Sequence, residues 1–207
     1  MLQRIRFFLA EILTVITLLT IFTTLTASAQ WMDQQSIVES SDSWELQQGD
    51  WLIVNTDYNV LQFVRGDHSD VSQPIRVGSG INTGKKMVYL GMAYDPATPD
   101  KVWEIREKVQ QHWWNVFGSR EADEQLFLRL FEVKDDQRIW THYGIHTTPD
   151  IETIFTDQDG YGSWGCVLTR YDLLKKIEDL YDLNEGVVKV VTTKQNTSEV
   201  ITMLKAF

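Results

Sequence analysis

Cysteine is nearly absent from this chain. Cys166 is the only one in 207 residues, so no intrachain disulfide can form. Proline is scarce as well, and four prolines leave no Pro-rich linker to divide the chain. Basic residues are outnumbered, with 19 Lys and Arg against 29 Asp and Glu, for a formal charge of −10. A chain that acidic lacks the cationic surface that binding to a phosphate backbone requires, which argues against a nucleic-acid partner. There is no internal repeat, heptad run or low-complexity tract. There is also no HExxH motif and no second cysteine, which argues against a zinc site.

What is present begins with an export segment. Arg4 and Arg6 give a positive start, Phe7 to Thr26 is mostly apolar, and Ala27-Ser28-Ala29 before Gln30 has the small-x-small form of a cleavage site. Residues 1–29 therefore read as a signal peptide or, if uncleaved, as an N-terminal membrane anchor through residues 7–26. Both readings place the remainder outside the cytoplasmic membrane, in the periplasm or at the membrane's outer face and the cell wall. Loss of Arg4, Arg6 and Glu11 with residues 1–29 takes the formal charge from −10 to −11. Residues 30–47 are polar and read as a linker. Residues 48–207, roughly 160 in number, are a normal size for one domain with one core.

That domain reads as β-rich. Trp51 to Val54 and Val60 to Val64 are rich in β-branched and aromatic residues, and Asn55-Thr56-Asp57 between them is a turn signal. Further strands are expected over Pro74–Val77, Met87–Met92, Leu126–Val133, Arg138–Ile145 and Val187–Thr192. Residues 101–116 alternate at first, with Trp103, Ile105, Glu107 and Val109, but are rich in helix formers; the first half reads as strand. After the cysteine, Leu173, Leu174, Ile177, Leu180 and Tyr181 share one helical face, and Thr169 stands at capping-box distance from Asp172. A short terminal helix is expected over Ser198–Phe207. Cys166 then lies just before a helix start, where orphan N–H groups favour an anion and lower a thiol's pKa.

A lone cysteine in an exported domain is a buried filler, an intermolecular bridge or a reactive group. Gly162 and Gly165 beside it add nothing to a core, but they let the backbone turn tightly or approach a ligand closely. A cysteine nucleophile needs a base within hydrogen-bond reach and donors for the oxyanion. Of the four histidines, His68 sits in a polar loop and His112 precedes two tryptophans. His142 and His146 alternate along one expected strand and share a face, about 13 Å apart if the strand is straight, too far to chelate one metal. His146 ends that strand and is followed by loop residues Thr147 to Asp150. With Gly144, Ser163, Gly165 and Cys166 it forms the candidate constellation.

At these residues the chain resembles the L,D-transpeptidase catalytic domain of the YkuD type. The family's signature is a histidine, about 14 to 17 residues, then Ser/Thr-His-Gly-Cys. Here His146 is followed by 16 residues and Ser163-Trp164-Gly165-Cys166. Tyr143-Gly144-Ile145-His146 is similar to the family's Tyr-Gly-Ile-His, and Ala97-Thr98-Pro99 stands where many members carry Thr-Pro before a strand. Trp164 replaces the second histidine, Thr147 replaces the Gly or Ser after the base, and Arg170 lies four residues after Cys166 where many members have an arginine after two.

The resemblance implies a mainly β, L,D-transpeptidase-like sandwich with a helix after the cysteine. It implies that Cys166 attacks a peptidoglycan stem peptide and forms a thioester, with His146 taking the thiol proton and the Thr147 carbonyl orienting His146. The N–H groups of Gly165 and Cys166 would form the oxyanion hole, and Ser163, Trp164, Gly144 and His142 would shape the site. An amine of a second stem peptide would resolve the thioester; water would make the chain an L,D-carboxypeptidase. Many members are acylated by carbapenems, so the resemblance implies the same of Cys166. No metal or organic cofactor is expected. A non-catalytic wall-binding domain on the same fold is the alternative.

Overall fold

The computed structural model describes residue 37 and residues 43–81, 86–89, 92–110, 126–157 and 160–205. The expected export segment, most of the expected linker, His112 and the second half of 101–116 lie outside these residues. No helix among the described residues is long and apolar enough to cross a membrane.

Among the described residues, twelve strands and three helices follow one another. They are β1 (Trp51–Asn55), β2 (Val60–Val64), β3 (Ile75–Arg76), β4 (Ser79–Gly80), β5 (Met87–Tyr89), β6 (Met92–Tyr94), β7 (Lys101–Gln110), β8 (Leu126–Lys134) and β9 (Gln137–His146). Then come α1 (Ile151–Asp157), β10 (Tyr161–Ser163), β11 (Val167–Leu168), α2 (Tyr171–Leu183), β12 (Val188–Thr193) and α3 (Thr197–Lys205). The chain is mostly β, as its sequence leads one to expect.

Eight strands form one sheet in the order β11-β9-β8-β7-β12-β1-β2-β3. The sheet curls until its edges meet. Just beyond β3, Gly78 N–H donates to the Leu168 carbonyl at 2.7 Å, and Leu168 N–H donates back to Gly78 at 2.9 Å. The sandwich expected from the sequence is thus one sheet closed around its own core.

Side-chain patterns follow from which faces are covered. Leu52 and Val54 of β1, Leu61 and Phe63 of β2, Val188 and Val190 of β12, Trp103 and Ile105 of β7, and Leu128 and Leu130 of β8 point inward. Helix α2 fills that interior with Leu173, Leu174, Ile177 and Leu180, the spacing of one apolar helix face. On the outer side, Val200 and Ile201 of α3 cover Trp51, Ile53 and Val191. Strand β1 is buried on both faces, which is why it reads as a continuous apolar run rather than an alternation.

The capping box expected at Thr169 is not made. The N-cap is Arg170, with no side-chain cap, and the buried Thr169 hydroxyl has no hydrogen-bond partner among the described residues. Thr169 N–H is instead donated to the His146 carbonyl at 2.9 Å, so tertiary pairing overrides the local signal. The strand expected over Met87–Met92 is a hairpin of β5 and β6.

Packing begins ahead of residue 48. Trp44 is buried in the core, stacks on Phe63 at 6.5 Å, donates its indole N–H to Asp50 Oδ2 at 3.1 Å and lies under the Arg65 guanidinium at 4.1 Å. One tryptophan and Leu46 among polar neighbours are too short a signal to show this in sequence. Trp44→Ala is expected to lower folding stability by about 3–5 kcal/mol in urea titration. A loss below about 1 kcal/mol would contradict a Trp44 that belongs to the core.

Candidate active site

The site lies where β9 ends. The parallel pairing of β11 with β9 sets Val167 against Ile145 and Leu168 against His146. Cys166 is the residue before β11, so it stands two positions from His146 across one strand spacing. Spacing and rise put their Cα atoms about 8 Å apart, a gap two side chains can bridge.

His146 is buried, and Phe127, its cross-strand partner on β8, stacks on the imidazole at 5.4 Å. Nδ1 lies 2.8 Å from the Thr147 carbonyl. An imidazole that donates Nδ1–H there keeps Nε2 as its acceptor. Burial pushes the imidazole down to about 4, and the Thr147 hydrogen bond works weakly in the other direction.

The loop that carries Cys166 is held from both sides. Strand β10 pairs with β4, and Ile81 N–H donates to the Ser163 carbonyl at 3.0 Å. Ser163 Oγ accepts from the Gly165 N–H at 3.1 Å and donates to the Cys166 carbonyl, closing the turn on itself. Thr98 Oγ1 donates to the Gly165 carbonyl at 3.1 Å and accepts from Gly80 N–H at 2.8 Å, so Thr98 ties three segments together. Gly165 is required twice. Its φ is +105°, and a Cβ there would lie 2.3 Å from the Tyr143 ring.

Cys166 is half-buried and free, with Sγ 3.9 Å from the His142 carbonyl. Burial pushes its thiol up to about 11, against a backbone hydrogen bond from Gly144 and the Arg129 charge, both of which lower it. This corrects the expectation of a thiol acidified by a helix start. Strand β11 intervenes, α2 begins only at Tyr171, and a helix terminus acts within about one turn.

Strand β9 is not straight. Between Gly144 and Trp140 it spends four steps where β8 spends two, from Arg129 to Phe131. This bulge re-aims His142, whose carbonyl meets the sulfur while its ring turns edge-on to Trp140 at 4.5 Å. Gly144 is needed beyond it, because a Cβ would fall 2.3 Å from the Phe127 ring. Burial, and then the Arg129 charge, hold the His142 imidazole below its usual range.

Of the residues singled out in the sequence, Gly144, His146, Thr147, Ser163, Gly165 and Cys166 come together, and His142 meets the thiol through its backbone. The Gly165 N–H expected to face an oxyanion is donated to Ser163 Oγ. Trp164 is 58% exposed beside the cysteine. Arg170 pairs with Glu152 of α1 at 2.7 Å and lies over Phe155, a surface bracket between α1 and α2. Sequence reasoning did not find Phe127 or Arg129; the alternation in Phe127-Leu128-Arg129-Leu130 shows only that these two share the face opposite the core. No group of three His, Cys, Asp or Glu suited to a metal ion occurs among the described residues.

Residues 49–192 match the family model of the L,D-transpeptidase catalytic domain, YkuD. No curated protein matches the chain. Among solved structures it is similar to an L,D-transpeptidase from Xylanimonas cellulosilytica at 18% identity and a TM-score of 0.43, covering 72% of this chain and 62% of that one. It is similar to a Bdellovibrio bacteriovorus protein at 17% identity and a TM-score of 0.48, with coverage of 84% and 59%. It is also similar to an Enterococcus faecium L,D-transpeptidase mutant at 15% identity and a TM-score of 0.42, with coverage of 70% and 50%. The chain thus spans no more than 62% of the length of these solved chains.

His146 and Cys166 tie stability to pH. Folded His146 binds its proton only near pH 4, against 6.5 for an ordinary imidazole, so the unfolded chain protonates first as pH falls. Stability is therefore lost between about pH 6.5 and 4, by roughly 3 kcal/mol from this residue. At the other end, the folded thiol keeps its proton to about 11 while the unfolded one ionises from 9.0, so stability declines as pH rises through that window. Urea midpoints are expected to fall more steeply from pH 7 to 4.5 in the parent than in His146→Gln. Parallel profiles would contradict a buried, neutral imidazole.

Proposed function

Because the chain belongs to the L,D-transpeptidase catalytic-domain family, we propose that it is a cysteine-dependent acyltransferase of peptidoglycan stem peptides, with Cys166 as nucleophile and His146 as base. That family acts on peptidoglycan peptides. The observation that carries the reading is the fixed imidazole: the Thr147 carbonyl holds Nδ1 at 2.8 Å, which makes Nε2 the proton acceptor, and the pairing of β11 with β9 sets Cys166 just ahead of the neighbouring strand.

At neutral pH the resting pair is a thiol and a neutral imidazole, since the two groups are pushed to about 11 and about 4. The proton therefore moves as attack develops, which is general-base catalysis rather than storage of a preformed thiolate. Sγ attacks the carbonyl between the diamino acid's L-centre and the terminal D-alanine. The S–C bond forms, the thiol proton passes to Nε2, the C–N bond breaks, and D-alanine leaves with that proton. An amine of a second stem then attacks the thioester and gives its proton to His146; the C–S bond breaks and His146 passes the proton to Sγ, restoring the thiol and the neutral imidazole. The Cys166 N–H receives the oxyanion, joined by Gly165 N–H on its release from Ser163 Oγ. Gly144 admits the Phe127 ring that supports His146.

The substrate lies outside the cytoplasmic membrane. We assign residues 1–29 to export, ending at Ala29 or retained as an anchor through residues 7–26, and place the domain in the periplasm or at the cell wall.

Incubation with disaccharide-tetrapeptide muropeptides is expected to release D-alanine and form cross-linked dimers. Cys166→Ala should abolish both, and His146→Ala should slow them by about 10²–10⁴-fold. Tripeptide without dimer would make water the acceptor. Variants that both match the parent would refute the assignment.

A further inference from the structure

A largely buried cation lies beside the candidate nucleophile in a chain whose formal charge is −10. Arg129 projects from β8 on the side opposite the core, across from Gly144 of β9 and Glu107 of β7, and its side chain is 13% exposed. Nε donates to the Glu107 carboxylate at 3.1 Å, and Nη1 donates to the Thr141 carbonyl at 2.9 Å. The guanidinium carbon sits 4.6 Å from the Trp140 ring centroid and 5.2 Å from that of Phe127.

Each partner leads to the reacting pair. Phe127 stacks on His146, and Trp140 meets His142 edge-on. The Thr141 carbonyl is one peptide before the His142 carbonyl, where Cys166 Sγ rests at 3.9 Å.

We propose that Arg129 is a positioning residue that tunes the reactivity of Cys166, pinning through the Thr141 carbonyl the β9 bulge whose His142 carbonyl meets the sulfur, and adding a positive charge to its surroundings. A charge in surroundings largely closed to water acts more strongly than one at the surface. The Arg129 charge works toward an anion at Cys166, behind burial, which raises the thiol, and the Gly144 hydrogen bond, which lowers it; at His142 it adds to burial in holding the imidazole down. Among the described residues, the charged and titratable side chains around this region are Glu107 from β7, Arg129 from β8, His142, Tyr143 and His146 from β9, and Asp95 after β6, whose backbone meets Tyr143 beside Gly165. Glu107, half-exposed, offsets part of the charge.

The inference rests on Cys166 as the nucleophile, but its test reads the thiol alone. Iodoacetamide alkylates the thiolate: sulfur attacks the methylene carbon, a C–S bond forms, iodide leaves, and the thiol's proton goes to solvent. Cys166 is the only cysteine, so intact mass of the full chain counts one carbamidomethyl group. Arg129→Gln is expected to displace the rate–pH profile upward by about 0.5–1 unit, a three- to tenfold slower reaction at pH 8. Arg129→Lys, which keeps the charge, should stay near the parent, and Glu107→Gln should move the profile downward.

A folded Arg129→Gln with the parent's profile would overturn the proposal, as would equal upward shifts in Arg129→Gln and Arg129→Lys. If Arg129→Gln does not fold, Glu107→Gln decides: an unchanged or raised profile overturns the proposal. Muropeptide transfer retained by Cys166→Ala would remove the nucleophile reading while leaving the alkylation result to judge Arg129.

Discussion

The pairing of Val167 and Leu168 with Ile145 and His146 holds the site together. A parallel pair cannot be joined by a tight turn; the chain must leave one strand end, travel, and return to the neighbouring strand, which takes a dozen or more residues. The 20 residues from Thr147 to Cys166 make that journey, with α1 and β10 on the way, and the 16 before Ser163 are the larger part of it. The spacing that looks like an arbitrary signature in sequence is the length of a crossover. Leu168 then closes the sheet onto Gly78, so the segment that delivers the cysteine also joins the sheet's two edges. Fold closure and site assembly rest on the same two residues.

Burial sets the chemistry of what is delivered. Phe127 over the imidazole and the surrounding backbone keep His146 neutral and the Cys166 thiol protonated. An imidazole held near 4 is not an imidazolium at neutral pH, so its Nε2 is a proton acceptor there. The opposing tendency, toward thiolate, comes from Gly144 and from Arg129, a cation anchored by Thr141 and two aromatic rings. Thr98 acts mechanically, tying the loop after β6 to Gly165 and Gly80.

Much of this was legible before the structure. The runs that became β1 and β2 are apolar and β-branched, and the face of α2 is spelled out by Leu173, Leu174, Ile177 and Leu180. His146 and Cys166 were legible through spacing and their glycines. Helix α1 was not. Ile151-Glu152-Thr153-Ile154-Phe155-Thr156 is short and rich in β-branched residues that disfavour helix, and it is held by burying Ile151, Ile154 and Phe155 against Leu168. The β9 bulge has no sequence signature either, so a regular alternation was expected where His142 is re-aimed. The Thr169 cap failed because Thr169 is claimed by His146. Arg129 read only as an outward residue, since its partners come from β7 and from the bulge.

The central claim is that Cys166 is an acylable nucleophile served by His146. The most direct measurement is intact-mass analysis of the chain after exposure to a carbapenem, with the adduct mapped by peptide fragmentation. One covalent adduct is expected, located on Cys166, absent in Cys166→Ala and formed far more slowly in His146→Ala. A folded parent that forms no adduct, or an adduct that persists in Cys166→Ala, would contradict it.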